Sequence, residues 1–326
     1  MLNPVFRREL NTTLRSWKTY GALTVYVAIL IAVERIAMES SVRSYGYYGY
    51  GGYGFDPKSI TTLYSVLAGF QFALIAIITP ALTAGAIAGE RERQTLNLML
   101  ITKMSTFKIA VGKLMSSLSI IILLIIASMP VFAMVFYYGG VSLLDLIAVI
   151  LYTILSAAAM GSICIFLSSL FKRTVSATVL SYISIMVLCI GTFIAAFIVY
   201  IIFNIIRSYR PYMSMVSSVA TPILPAGTTM GTISVGIINV AFIAIFSLNP
   251  FVGFLSILDT QMGTGVVDGL FYELTYMFSY SAYPNGGNGS VNLWAYNIVV
   301  NIAITFIMLF FTSKVLMPVK PSRKNK

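Results

Sequence analysis

The sequence predicts an all-α, polytopic integral membrane protein, with six transmembrane helices in a single transmembrane domain over residues 1–326. Three observations predict it. Hydrophobic residues make up 58% of the chain and charged residues 10%, where a soluble domain carries about 25% charged residues. The mean hydropathy is +0.90, and runs long enough to cross a bilayer, about 20 residues each, fall near 19–37, 61–88, 107–137, 142–170, 174–206 and 293–316. The charges are also sorted. Segments 1–18, 89–113, 171–173 and 314–326 hold 16 of the 21 Lys and Arg, and the loops around 34–58 and 207–292 hold the other 5. Lys and Arg set orientation by the positive-inside rule, so both termini are expected in the cytoplasm of a cell-membrane protein. An even number of crossings agrees.

Residues 1–18, MLNPVFRRELNTTLRSWK, do not read as a signal peptide, since no small-residue cleavage site follows the first apolar run, which ends instead in ERIAMES. Leu2, Val5, Phe6, Leu10, Leu14 and Trp17 recur at helical spacing, while Arg7, Arg8, Arg15 and Lys18 lie off that stripe. Asn3 suits a cap and Pro4 a first helical position. The pattern favours an interfacial helix over an ordinary basic tail, with its apolar face in acyl chains and its cations toward anionic headgroups. That placement turns the net charge of +11 toward the lipid bilayer, not toward nucleic acid. The first span, near 19–37, is followed by SYGYYGYGGYGF, with five tyrosines and five glycines in 45–54. Tyrosine settles at interfaces and glycine keeps the backbone loose, which suits a low-complexity connector against the headgroups.

The second span, 61–88, ends in the small residues TAGAIAG, and the chain then turns charged: GERERQTLNLML. Arg91 to Ile101 is expected to form about three helical turns. Leu96, Met99 and Leu100 make one stripe, with Glu92, Arg93 and Lys103 off it. Thr102 to Ser105 breaks the helix, and Ser105 can cap the next. Such a helix across the mouth of a hairpin suits docking into a groove of a soluble partner. A solvated loop supported by its own charge pairs is equally consistent with these residues taken alone.

The third to fifth runs approach 30 residues and must tilt or project beyond the hydrocarbon. Cys164 and Cys189 lie inside them and read as packing residues. Within 207–292, TISVGIINVAFIAIFSL (232–248) is marginal for a crossing. A single extra span would put the basic C-terminus outside, so an extracellular or re-entrant helical connection is expected, with a pair of extra crossings as the alternative. NPFVGFLSILD (249–259) reads as a helix start. The sixth span, 293–316, ends in a basic tail.

Absences narrow the chemistry. Histidine is missing and no phosphate-binding G-x-x-x-x-G-K-[ST] occurs, so neither a Ser-His-Asp hydrolase nor a P-loop can be built. No metal site and no enzyme activity are expected. Glu34 and Asp145 approach the spans but read as interfacial residues at span ends. Any energy for transport must come from elsewhere.

The segment TPALTAGAIAGERERQTLNLMLITKMSTFKIAVGKL resembles the corresponding segment of ABC exporter permeases of the second type. Gly89, Glu90, Arg91, Glu92, Thr95, Leu96, Leu98, Met99, Leu100, Thr102, Ser105, Gly112 and Lys113 carry the resemblance. Gln94 replaces the family's usual small residue, and Lys103-Met104 replaces its proline-containing break.

The resemblance implies a type-two exporter fold in which 1–18 is the elbow helix and 89–105 holds the coupling helix. Glu90, Arg91, Glu92, Arg93, Thr95, Leu96, Leu98, Met99, Leu100 and Thr102 would then dock on a separate ABC ATP-binding subunit, which supplies ATP and magnesium. A second permease subunit, identical or related, would complete the pathway, with the second and fifth spans at the interface. The cargo would be hydrophobic or amphipathic, a peptide or drug-like molecule, by analogy with permeases for phenol-soluble modulins and bacteriocins. An ATP-independent membrane scaffold or assembly protein and a secondary transporter are the alternatives, and the shortage of intramembrane carboxylates disfavours the latter. No substrate-binding residue is assigned.

Overall fold

A chain crossing hydrocarbon has no water to satisfy its peptide groups, so it must pair them within itself, and a helix does so residue by residue. The computed structural model describes residues 16–47, 57–95, 105–137, 141–195, 197–198, 201–202, 205, 244–262 and 293–316. Its elements are α1 (Trp17–Tyr47), α2 (Pro57–Thr83), α3 (Ala88–Glu92), α4 (Thr106–Tyr137), α5 (Leu143–Leu170), α6 (Thr174–Met186), α7 (Pro250–Met262) and α8 (Leu293–Val315). No strand occurs among the described residues. Six of these segments are long and apolar enough to cross a membrane, and they coincide with the six runs of the sequence.

Two boundaries differ from expectation. Trp17 belongs to α1, with the Thr19 N–H bonded to the Ser16 carbonyl in its first turn, so the first membrane helix begins inside the segment assigned to the elbow. Trp17 is 88% exposed there. Leu2, Val5, Phe6, Leu10 and Leu14 lie outside the described residues. At the other end α1 continues to Tyr47, well past the predicted limit. Glu34 lies inside this helix and is buried.

The described residues fall into two compact units, one from 1–185 and 301–326, the other from 186–300. In the first, α2 packs on α1, α4 and α5, while α4 also touches α1 and α5. Ile75, Leu114, Ile121, Ile125, Ile165 and Leu309 form its apolar centre. Aromatic pairs fasten the helices: Tyr64 meets Phe132 edge-on at 6.2 Å, and Phe72 stacks on Tyr152 at 6.4 Å. Close approach is set by Gly161 on α5. A Cβ there would lie 3.1 Å from Leu114 Cδ1 and 3.3 Å from Thr83 Cγ2, so glycine lets α2, α4 and α5 meet closely where any side chain would press on both neighbours. Pro80 and Pro130 remove one N–H each from α2 and α4.

The second unit is built around two asparagines. The helix after α6 widens into a π turn, Val187–Gly191. Asn249 Nδ2 donates to the Cys189 carbonyl at 3.0 Å and to Thr192 Oγ1 at 2.7 Å, and its Oδ1 accepts the Phe251 N–H, capping α7. Asn297 Nδ2 donates to the Ser247 and Asn249 carbonyls, both at 2.8 Å. A break in helical backbone at Leu248-Asn249 leaves polar groups open, and these two side chains satisfy them. The stretch 249–259 thus does start a helix.

The depth of Gly161 makes a test. Gly161→Leu should lower the thermal stability of the detergent-purified protein, by about 1–3 kcal/mol for overpacking. Gly69→Leu, where a Cβ meets nothing within 4 Å, should leave the melting temperature close to that of the parent.

Candidate functional site

The charged stretch after the second span is where the described helices converge. Approaching it, Thr79 and Thr83 turn their hydroxyls back onto the Ile75 and Thr79 carbonyls, each at 2.7 Å. The helix then loosens into a turn over 84–87 before α3 restarts at Ala88. A restarting helix exposes N–H groups that need acceptors. Ile87, in the cap position, has no side chain able to help, and Ser168 of α5 substitutes: its Oγ accepts the Ile87 N–H at 3.1 Å and the Ala88 N–H at 2.9 Å.

The next four residues reach three other helices, Gly89 and Glu92 both meeting α6. Gly89 lies against Thr174, where a Cβ would touch Thr174 Cγ2 at 3.4 Å. Glu90 forms an ion pair with Lys113 of α4. Lys113 exposes 6% of its side chain and Glu90 21%, so this is a buried pair, not a surface one. Arg91 Nη1 donates to the Phe171 carbonyl at 3.2 Å, at the C-cap of α5. Glu92 Oε2 accepts from Thr174, from its N–H at 3.3 Å and its Oγ1–H at 2.7 Å, at the first residue of α6. Cation at a helix C-terminus and anion at an N-terminus is the arrangement that helix dipoles favour. Those two bonds from Thr174 hold the solvent-facing Glu92 carboxyl below the usual glutamate range.

The helix expected from Arg91 to Ile101 does not run on. α3 ends at Glu92, and Gln94 takes a φ of 58°. The Gln94 N–H bonds the Arg91 carbonyl at 3.1 Å and the Thr95 N–H reaches back to the Glu90 carbonyl at 2.9 Å. This pair of bonds closes a helix C-terminus around one left-handed residue, a place that favours glycine. Gln94 itself holds the left-handed conformation here. Leu96, Leu98, Met99, Leu100 and Thr102 lie outside the described residues. Downstream, Ser105 Oγ accepts the Lys108 N–H at 3.4 Å, so it caps α4 as the sequence predicted.

A profile of the ABC-2 family transporter proteins matches residues 4–263. The chain belongs to the ABC-2 family. No curated protein matches it. Membership makes it the membrane component of an ABC transporter and a multi-pass membrane protein, in keeping with its six apolar helices.

For this ABC-2 permease, the residues legible from sequence divide into two groups. Glu90, Arg91 and Glu92 are brought together, but their side chains bond the permease itself. Arg93, Gln94 and Thr95 are exposed. Sequence reading missed Ser168 and Thr174, and it noted Lys113 only as part of a motif. Lys113 alone carried a signal of its own, a lysine set inside an apolar run.

Removing the carboxylate from a buried ammonium should be costly. Glu90→Gln is expected to destabilise the purified protein by on the order of 3 kcal/mol, read as a fall in the thermal unfolding midpoint. Adding Lys113→Met should recover part of the loss, because the buried charge leaves with its partner.

Proposed function

We propose that this chain is the permease subunit of an ATP-driven exporter, bound through its 89–105 segment to a separate ABC ATP-binding subunit that carries ATP and magnesium. A second permease subunit completes the pathway, in the cell membrane with both termini in the cytoplasm. The mounting of the Gly89–Thr95 segment is the observation that carries this reading. A loop that merely connected two spans would need no such support, whereas this one is tied to α4, α5 and α6 by the side chains of three successive residues, Glu90, Arg91 and Glu92. A rigid mount lets a force applied from below reach the helices without being lost in loop motion.

The exposed residues Arg93, Gln94 and Thr95 then begin the docking surface. Leu96, Leu98, Met99 and Leu100 supply its apolar anchors and Thr102 its end, in the manner of a short segment seated in a partner's groove. Residues 1–16, with Leu2, Val5, Phe6, Leu10 and Leu14 toward lipid, form the elbow that leads into α1 at Trp17. The helical pieces on either side of Asn249 form the re-entrant part of the 207–292 connection, its backbone break buried by Asn249 and Asn297. The cargo is hydrophobic or amphipathic, a peptide or drug-like molecule, because the spans offer Met, Phe and Tyr far more than charge.

Co-purification tests the docking. Leu96→Asp with Leu100→Asp should release the ATPase subunit from a permease that still folds and inserts. Retention of the ATPase at the parent's level would place docking elsewhere.

A further inference from the structure

We propose that Glu92, aided by Arg91, is the positioning residue that makes α6 follow the coupling segment, so that the fifth span as well as the third receives its motion. This rests on the exporter reading above. The turn from α5 to α6 is three residues long, Phe171 to Arg173. Consecutive residues of opposite charge grip its two ends, Arg91 on the Phe171 carbonyl and Glu92 on Thr174. Ser168, one turn earlier on α5, holds the start of α3 from the other side. The 87–92 segment and the 168–174 segment therefore cap each other, and neither shifts without breaking the other's bonds.

The helices that meet there are packed very differently. In the most apolar 18-residue window, 44% of α4 is buried but only 17% of the fifth span. Val175, Val179 and Ile183 of α6 face outward. Packing alone carries α4 with its neighbours. α6 buries Ala177, Ser181 and Ile185 on one face and donates from Tyr182 to the Ile77 carbonyl at 3.1 Å, and at its first residue it is gripped by Glu92. A lightly packed helix held at its start is one whose position that grip decides.

The test uses the permease purified with its ATPase subunit, in a chain carrying Cys164→Ser and Cys189→Ser. An environment-sensitive fluorophore is placed on Val179→Cys in α6 or on Met115→Cys in α4, both exposed positions. Magnesium ATP with orthovanadate should shift both signals in the parent. Glu92→Ala should abolish the Val179 shift and leave the Met115 shift and the bound ATPase in place. Thr174→Val should weaken the Val179 shift and Thr174→Ser, which keeps both donors, should preserve it. If Thr174 acted only by packing its methyl on Gly89, the order of those two would reverse. An unchanged Val179 shift in Glu92→Ala overturns the proposal, as does loss of both shifts together or loss of the ATPase. A parent that binds its ATPase yet shows no Met115 shift overturns the exporter reading itself, and this inference with it.

Discussion

The bundle's architecture at its basic end depends on helix termini that cannot satisfy themselves. Every helix that stops or starts leaves N–H or C=O groups without partners, and at a membrane boundary water reaches only some of them. Here the second span stops, α5 stops and α6 starts within one small region. The three ends satisfy one another. Ser168 supplies acceptors for α3, Arg91 a donor for the end of α5, and Glu92 acceptors for the start of α6. The buried Glu90–Lys113 pair adds α4 to the same knot.

This arrangement gives the charged residues of the segment a different role from the one their exposure pattern suggests. Alternating Glu and Arg on a helix would ordinarily mean a solvated face. Three of these four charges instead bond parts of the chain about 20 to 80 positions away. Gly89 lies close to the same residue, since a Cβ there would be in van der Waals contact with Thr174 Cγ2 at 3.4 Å. Beyond this knot the exposed side chains begin at Arg93, just before the left-handed residue Gln94 redirects the backbone.

Much of this was legible in the sequence. The six runs marked the six helices because hydropathy and length are the signals a bilayer imposes. Ser105 was recognisable as a cap, and Pro250 marked the start of a helix. The first turn of the helix expected from Arg91 was misjudged because periodicity carries no record of a single residue at positive φ, while 96–101 lie outside the described residues. Thr174 and Ser168 were invisible for another reason. Their partners are backbone groups and a carboxylate about 80 residues away, and no spacing rule reaches that far. Glu34 was placed at a boundary because the apolar run ends there, while the helix itself continues.

The central claim is that the Gly89–Glu92 segment and the start of α6 are held side by side. Cross-linking tests it most directly, with Gly89→Cys and Thr174→Cys introduced into a chain lacking its own two cysteines. The account predicts rapid disulfide formation under mild oxidation in the membrane-embedded protein, because a Cβ on residue 89 would contact the Thr174 side chain. Failure of that pair to cross-link, while both cysteines remain reactive toward small thiol reagents, would contradict it.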